Sequence, residues 1–170
     1  MNNEERVLKE LFSKPTCKFH IRELARITNL NPNTIIKISD ILKKEGRIKK
    51  ENKKHLVEIS LNWDNKKTIL RKKLFNLGNV YNSGLVEFLA EEYSPNSISL
   101  IGSYAGGEDI EKSDIDIVLT GKSKDIVDLS KFEKKLNRKI HLMIVDIKSI
   151  SKEFFNNLIN GVVLYGTLRK

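Results

Sequence analysis

One segment of the 170-residue chain combines residue types that bind phosphate with residue types that bind metal ions. Gly102-Ser103 follows an apolar stretch, and Asp114-Ile115-Asp116 comes after a short loop. Glycine lets the backbone approach a phosphate closely, and the Ser103 hydroxyl can donate to a phosphate oxygen alongside backbone N–H groups. Because side chains alternate along a strand, Asp114 and Asp116 are predicted on one face and Ile115 on the other.

Two carboxylates on one strand face repel each other unless a cation lies between them. Mg²⁺ prefers carboxylate oxygens and usually shares its coordination sphere with substrate phosphates and water. We therefore expect Asp114 and Asp116 to bind Mg²⁺ or Mn²⁺ beside the phosphate cradle. Such a site suits nucleotidyl transfer, in which the metal neutralises a triphosphate and stabilises the leaving pyrophosphate. The alternative interpretation is an ordinary surface turn that enters a strand.

The same residues carry a family resemblance. Gly102-Ser103 and the run Ser113–Ile117 are similar to the signature of the DNA polymerase β-like nucleotidyltransferase superfamily, in particular its minimal nucleotidyltransferases. The resemblance covers about residues 80–170, including the ending Gly161–Gly166. It predicts a mixed β-sheet with flanking helices.

The resemblance also implies roles for individual residues. Asp114 and Asp116 would be catalytic metal ligands, and Ser103 would contact a nucleotide phosphate. Apart from the resemblance, we predict Gly102 and Ser113 as further nucleotide-binding residues. ATP is the expected nucleotide, so the reaction would transfer AMP. Similar minimal nucleotidyltransferases act as antitoxins that adenylylate a partner toxin, which implies a protein acceptor such as a cognate toxin.

Two features depart from the family pattern. The arginine that the family often has in the glycine turn is absent, and Tyr104, Gly106 and Gly107 fill that stretch. The next strand, read as residues 139–145, places His141 where a third carboxylate is usual. Imidazole is a poor Mg²⁺ ligand and a different base, so we place His141 at the catalytic site without assigning its role. Two hypotheses stay open: a nucleotidyltransferase, or a regulator whose degenerate transferase domain binds nucleotide without catalysis. A strand histidine with no site role is the plainest alternative.

The N-terminal part of the chain has helical periodicity and then two β-prone pieces. Apolar spacing predicts helices over residues 4–12, from Ile21, and over 32–45, followed by a hairpin over 47–61. The segment Ile21–Leu61 resembles the winged helix-turn-helix domains of prokaryotic transcription regulators. A helical hairpin that serves only as an interaction surface is the alternative.

The basic residues are concentrated in the same part of the chain. Residues 1–75 contain 19 Lys and Arg against 9 Asp and Glu, whereas residues 76–170 contain 12 against 13. A basic half beside a near-neutral half indicates that one part binds a polyanion such as double-stranded DNA. We expect base contacts from the third helix and phosphate contacts from the hairpin. The expected residues are Asn33, Thr34 and Lys37 in the helix, and Lys49, Lys50, Lys53 and Lys54 in the hairpin.

The predicted fold is a two-domain α/β (α+β) chain. A winged helix-turn-helix domain occupies residues 1–62, a basic linker helix 63–79, and a nucleotidyltransferase-like domain 80–170. The linker helix is expected to end near Gly78 and to turn Ile69, Leu70, Leu74 and Leu77 inward.

The bulk composition limits the remaining possibilities. Cys17 is the only cysteine, which excludes an internal disulfide framework. No apolar run approaches the roughly 20 residues that cross a bilayer, and no signal peptide is recognisable, so we expect a cytoplasmic protein without a membrane partner. A homodimer is a reasonable expectation because winged helices often bind DNA as symmetric dimers.

Overall fold

The computed structural model describes residues 2–53, 56–122, 125 and 127–169, which form eight helices and two β-sheets. The chain divides into two compact units, Met1–Lys72 and Lys73–Lys170. Lys54, one of the expected DNA contacts, lies outside the described residues. The class is mixed α and β.

Unit 1 contains three helices and a three-stranded antiparallel sheet of order β1-β3-β2. Along the chain its elements are α1 (Asn3–Ser13), β1 (Phe19–His20), α2 (Ile21–Thr28), α3 (Pro32–Lys44), β2 (Ile48–Lys53) and β3 (Leu56–Leu61). Strand β1 is only two residues long and was not predicted, because so short a strand carries no alternation of side chains. Its pairing of Phe19 with Ile59 adds a third strand to the hairpin.

Local sequence explains both ends of α3. The Asn31 side chain accepts a hydrogen bond from the Asn33 N–H (2.8 Å), and Pro32 occupies the first turn, where its missing N–H leaves no hydrogen bond unmade. At the other end Gly46 adopts a left-handed conformation (φ 71°), which glycine enters without steric cost. The sequence predicts Asn31 as the N-cap, Pro32 at the first helical position and Gly46 as the stop, and the structure confirms all three.

Apolar spacing predicts that four residues of α3 are buried, and the structure differs at one of them; the four are Ile35, Ile38, Ile41 and Leu42. Ile35, Ile38 and Leu42 are buried, as expected, but Ile41 is 51% exposed. Residues 35, 38 and 42 form a stripe at helical spacing, and residue 41 lies about 100° around the helix from residue 42. The expectation that Ile41 is buried was therefore wrong.

Helix α4 (Lys66–Ser83) runs without a break through Gly78, contrary to the prediction that a helix ends there. A glycine inside a helix costs about 1 kcal/mol relative to alanine, which is too little to end it. The helix stops instead before Gly84, which has a φ of 81°. No helix within the described ranges, α4 included, is long and apolar enough to cross a membrane.

The buried side of α4 is polar for much of its length. Thr68, Lys72 and Asn76 are at most 2% exposed, whereas Leu70 and Leu74 are each 56% exposed. The prediction that these two leucines turn inward was therefore wrong. Apolar spacing misassigned the face because the polar side chains of the true face make hydrogen bonds, such as that of Asn76 described below.

Unit 2 is built on a four-stranded mixed sheet of order β6-β5-β4-β7, in which only β5 and β6 are parallel. After the end of α4 its elements are α5 (Leu85–Tyr93), β4 (Ser97–Ile101), α6 (Gly102–Gly106), β5 (Ile115–Thr120), α7 (Ser130–Leu136), β6 (Ile140–Val145), α8 (Lys152–Ile159) and β7 (Val162–Gly166). The apolar pattern predicts strands over residues 97–101 and 115–120, and both predictions are confirmed by β4 and β5.

The two faces of this sheet are buried in different ways. Ile115, Ile117 and Leu119 of β5 join the main core with α5 and α7, while Val118 points to the opposite face and packs near Leu158 of α8. Asp116 has the same parity as Val118, so it lies on the α8 face. Strand β5, which is apolar on both faces, thus carries one carboxylate near its start.

Candidate functional site

The predicted glycine turn lies directly beside one of the predicted carboxylates. Ile101 at the end of β4 pairs with Asp116 of β5, and Gly102 follows with a φ of 73°. A Cβ at position 102 would lie 2.7 Å from Asp116 Oδ2, closer than side-chain carbons approach other atoms. Glycine is therefore required both for the left-handed backbone and for the space that the carboxylate occupies.

His141 is the second neighbour of Asp116. The two residues are register partners in the parallel pair of β5 and β6, as the predicted strand alignment required. His141 Nδ1 and Asp116 Oδ1 lie 3.1 Å apart, at hydrogen-bond distance. The imidazole is 61% exposed and the carboxylate 30%, so both groups are open to a ligand from solvent.

These three residues line one cavity of about 440 Å³. The end of α8 closes one side of it with Asn157 and Asn160. Gly161 permits this approach, because a Cβ there would lie 2.5 Å from the Leu100 carbonyl oxygen of β4. The lining residues are Ile101, Gly102, Asp116, His141, Met143, Asn157 and Asn160.

Asp114 is not among the residues that line this cavity. It is exposed, precedes β5, and lines a second cavity of about 510 Å³ between the loop 111–114 and α7. The two cavities share no lining residue. The structure thus brings Gly102, Asp116 and His141 together but does not bring Asp114 into the same cavity.

The two predicted serines have different surroundings. Ser113 shapes the loop, since its hydroxyl accepts a hydrogen bond from the Ile110 N–H (3.0 Å), and it lines the cavity of Asp114. Ser103 is half-buried in α6, directly after Gly102, and its carbonyl oxygen accepts the Glu108 N–H (2.9 Å). Of the two, only Ser103 adjoins the glycine turn.

A buried polar group anchors the loop between the glycine turn and β5, and sequence reasoning missed it. Asn76 Nδ2 donates to Asp109 Oδ1 (2.6 Å) and to the Tyr104 carbonyl oxygen (2.9 Å). Arg138 Nη2 lies 3.9 Å from Asp109 Oδ2. Burial, with the Asp109 charge as a second cause, raises the pKa of Tyr104 to about 12. In the sequence, Asn76 and Arg138 stand among residues typical of a protein surface, and no other sequence feature indicates their role.

The donor atoms at this site can be compared with the needs of Mg²⁺. The cavity beside Gly102 offers one carboxylate, from Asp116, and an imidazole in contact with it. Within the part of the chain that the structure describes, no three His, Cys, Asp or Glu residues are grouped as a metal site. Mg²⁺ prefers hard oxygen ligands in octahedral geometry. These residues therefore do not fit a site built for Mg²⁺ from several carboxylates.

The expected DNA contacts of unit 1 fall into two groups. Asn33 and Lys37 are exposed near the start of α3, and Thr34 between them is half-buried. The three described hairpin lysines each face a carboxylate at close range, at Nζ–O distances of 2.7 Å (Lys49–Asp64), 2.6 Å (Lys50–Asp40) and 3.0 Å (Lys53–Glu58). The hydrogen bond from Lys53 lowers the pKa of Glu58 and raises that of Lys53.

Comparison with known proteins places unit 2 in a family. No curated protein matches the chain. The family described as polymerase beta, nucleotidyltransferase matches residues 84–170, which is half of the chain and contains the glycine turn, β5 and β6. The chain therefore belongs to the polymerase beta nucleotidyltransferase family.

Proposed function

We propose that unit 2 binds ATP at the Gly102 turn and transfers AMP to an acceptor, with a protein as the acceptor. The observation that carries this proposal is the contact of a left-handed glycine turn with the Asp116 carboxylate. A turn of this kind can offer backbone N–H groups to a phosphate, and the matched nucleotidyltransferase region contains it.

The chain's own residues have separate tasks in this reaction. The Gly102 and Ser103 N–H groups and the Ser103 hydroxyl bind triphosphate oxygens. An acceptor hydroxyl then attacks the α-phosphorus and releases its proton to solvent, and a new P–O bond forms as the bond to the leaving pyrophosphate breaks. The anchored loop that follows α6 keeps the glycine turn rigid. Phosphoryl transfer depends mainly on such precise positioning of the groups that bind the phosphates.

The test uses the full chain, ATP labelled at the α-phosphate, and a cell extract as the source of acceptors, with Mg²⁺ or Mn²⁺ present. We expect labelled protein bands and an equal release of pyrophosphate. An Asp116→Asn variant serves as the inactive control. Label transferred at the same level by the wild type and this control would overturn the proposal. Label carried only by γ-labelled ATP would overturn it too.

We also propose that unit 1 is a winged helix-turn-helix domain that binds double-stranded DNA. The order α2, turn, α3 and hairpin β2–β3 supports this, as do the exposed Asn33 and Lys37 and the half-buried Thr34 at the start of α3. Phosphate contacts would come from Lys49, Lys50 and Lys53, which must exchange their present carboxylate partners for phosphates.

A second function is favoured by one observation. His141 occupies the register position beside Asp116, and Asp114 lies in a different cavity, so the site has fewer clustered carboxylates than its resemblance implies. A DNA-bound regulator that binds ATP without turnover fits this arrangement. Its signature is ATP binding without product, together with a change in DNA affinity. If ATP leaves DNA affinity unchanged, this second function fails.

A further inference from the structure

Unit 1 contains a cavity of about 770 Å³ to which neither function proposed above assigns a role. This unit 1 cavity is lined by the starts of α2 and α3 and by the start of β3, and the described residues expected to contact DNA are not in its lining. Small-molecule sites have volumes of roughly 300–1,000 Å³ and mainly apolar walls. The cavity has this size, and its apolar lining residues are Ile21, Pro32, Ile36, Leu56 and Val57.

We propose that the unit 1 cavity binds a small amphipathic anion. An aromatic or acyl body of the ligand would lie against the apolar wall, and its carboxylate would meet Arg22 and Arg26 of α2, which also line the cavity. The proposal goes beyond both proposed functions and depends on neither, because binding of this ligand requires no nucleotide and no DNA.

The apolar wall is open to solvent and is not required by the core. Ile36 is 40% exposed and Leu56 57% exposed. Ile36 lies outside the buried stripe of α3 that contains Ile35, Ile38 and Leu42. A concave surface with exposed apolar side chains is typical of a binding site, and a ligand that covers it removes apolar area from water.

The positive charge beside this wall is unpaired. Arg22 and Arg26 are both exposed, and within the described ranges neither guanidinium has a hydrogen-bond or ion-pair partner. They are four residues apart on α2, where like charges are neighbours and repel each other. The one acidic lining residue, Glu23, accepts the His20 N–H (3.4 Å) at the start of the helix. An anion therefore complements the charge of the cavity.

Hydrogen bonds hold the walls of the cavity together before any ligand binds. His20 Nδ1 donates to the Val57 carbonyl oxygen (3.3 Å), and both residues line the cavity. The backbone of His20 is also paired with Glu58 in the antiparallel contact of β1 and β3. A site that is already formed loses little conformational freedom on binding, which favours a small ligand.

The phosphates of DNA are the other source of negative charge for these arginines. A phosphate backbone would neutralise Arg22 and Arg26 but has no apolar part to cover Ile36 and Leu56. An amphipathic anion satisfies both the charge and the apolar wall, so it explains more of the lining than DNA does.

The test follows the methyl signals of Ile36 and Leu56 by nuclear magnetic resonance in the full chain, without nucleotide, during titration with 2-naphthoate. We expect saturable shifts of these signals, and at least tenfold weaker binding of the uncharged 2-naphthamide. The double variant Arg22→Gln/Arg26→Gln should weaken naphthoate binding at least tenfold. Lys43→Gln/Lys44→Gln, which removes the same charge from exposed positions at the end of α3, should leave it unchanged.

A further variant tests the apolar wall at an exposed position, where the fold is expected to tolerate it. Ile36→Ser should weaken naphthoate binding at least fivefold. The proposal is overturned if naphthoate gives no saturable shift, if naphthamide binds as tightly, or if the arginine variant binds like the wild type. It is also overturned if duplex DNA, and not naphthoate, shifts these methyl signals. Because neither ATP nor DNA is needed, failure of AMP transfer or of DNA binding leaves a positive result standing.

Discussion

The contact between Gly102 and Asp116 is the smallest unit on which the functional account depends. The backbone of residue 102 is left-handed, and the volume where a side chain would begin is filled by the Asp116 carboxylate. The positions of the turn backbone and of the Asp116 carboxylate therefore both depend on a glycine at position 102. A shift of either one disturbs the other.

Gly102→Ala should disturb both at once. The left-handed backbone costs alanine about 1–2 kcal/mol, and the new methyl group displaces the carboxylate. We expect lower stability in chemical denaturation and at least tenfold weaker ATP binding in calorimetry. Gly78→Ala is the matched control, because a Cβ there has no neighbour within 4 Å. If both variants bind ATP like the wild type, the turn does not contact the nucleotide.

At the scale of elements, the sheet brings the site together and a buried polar group holds the connecting loop. Strand β4 ends at the glycine turn, β5 begins with the carboxylate, and β6 adds the imidazole. The loop between α6 and β5 is tied to α4 by the hydrogen bond from Asn76 to Asp109. This bond joins a buried amide to a buried carboxylate, so its loss is costly.

Asn76→Ala should therefore destabilise the protein by about 1.5–3 kcal/mol, the usual contribution of a buried hydrogen bond to a charged group. The measurement is the urea dependence of unfolding of the full chain. Asn82→Ala, at an exposed position of the same helix, should change stability by less than about 0.5 kcal/mol. Equal effects of the two substitutions would mean that the Asn76–Asp109 bond does not stabilise the loop.

Many of these helices and strands could be predicted from the sequence. Alternating apolar residues located β5, and the alignment of the next strand placed His141 beside Asp116 before the register was known. Helix α6 was read as part of a loop, because its five residues, three of them glycine or serine, carry no apolar periodicity. The anchoring role of Asn76 depends on a residue 33 positions away, which no local pattern reveals.

At the scale of the whole molecule, basic charge is concentrated in residues 1–75. Sequence could count these lysines but could not show which ones face carboxylates. Lys49, Lys50 and Lys53 pair with acidic residues up to 15 positions away, so part of the apparent charge of the hairpin is neutralised. The basic side chains of α3, more than those of the hairpin, are therefore expected to bind a polyanion.

Lys37→Ala should consequently weaken DNA binding more than Lys53→Ala. We expect a loss of about 1–3 kcal/mol for the first, if Lys37 meets a base edge, and a smaller loss for the second, whose ammonium already faces Glu58. Fluorescence anisotropy with duplex DNA at fixed salt measures both. A larger effect at Lys53 would mean that the hairpin, rather than α3, provides the main contact.

The most direct test of the proposed nucleotide site is the effect of Asp116→Asn on ATP affinity, measured by calorimetry on the full chain with Mg²⁺ and Mn²⁺ present. Glu87→Gln, which removes an exposed charge from α5, is the control. If the glycine turn and Asp116 form one nucleotide site, the first substitution weakens ATP binding at least tenfold and the second leaves it unchanged. Wild-type affinity in Asp116→Asn would contradict the account.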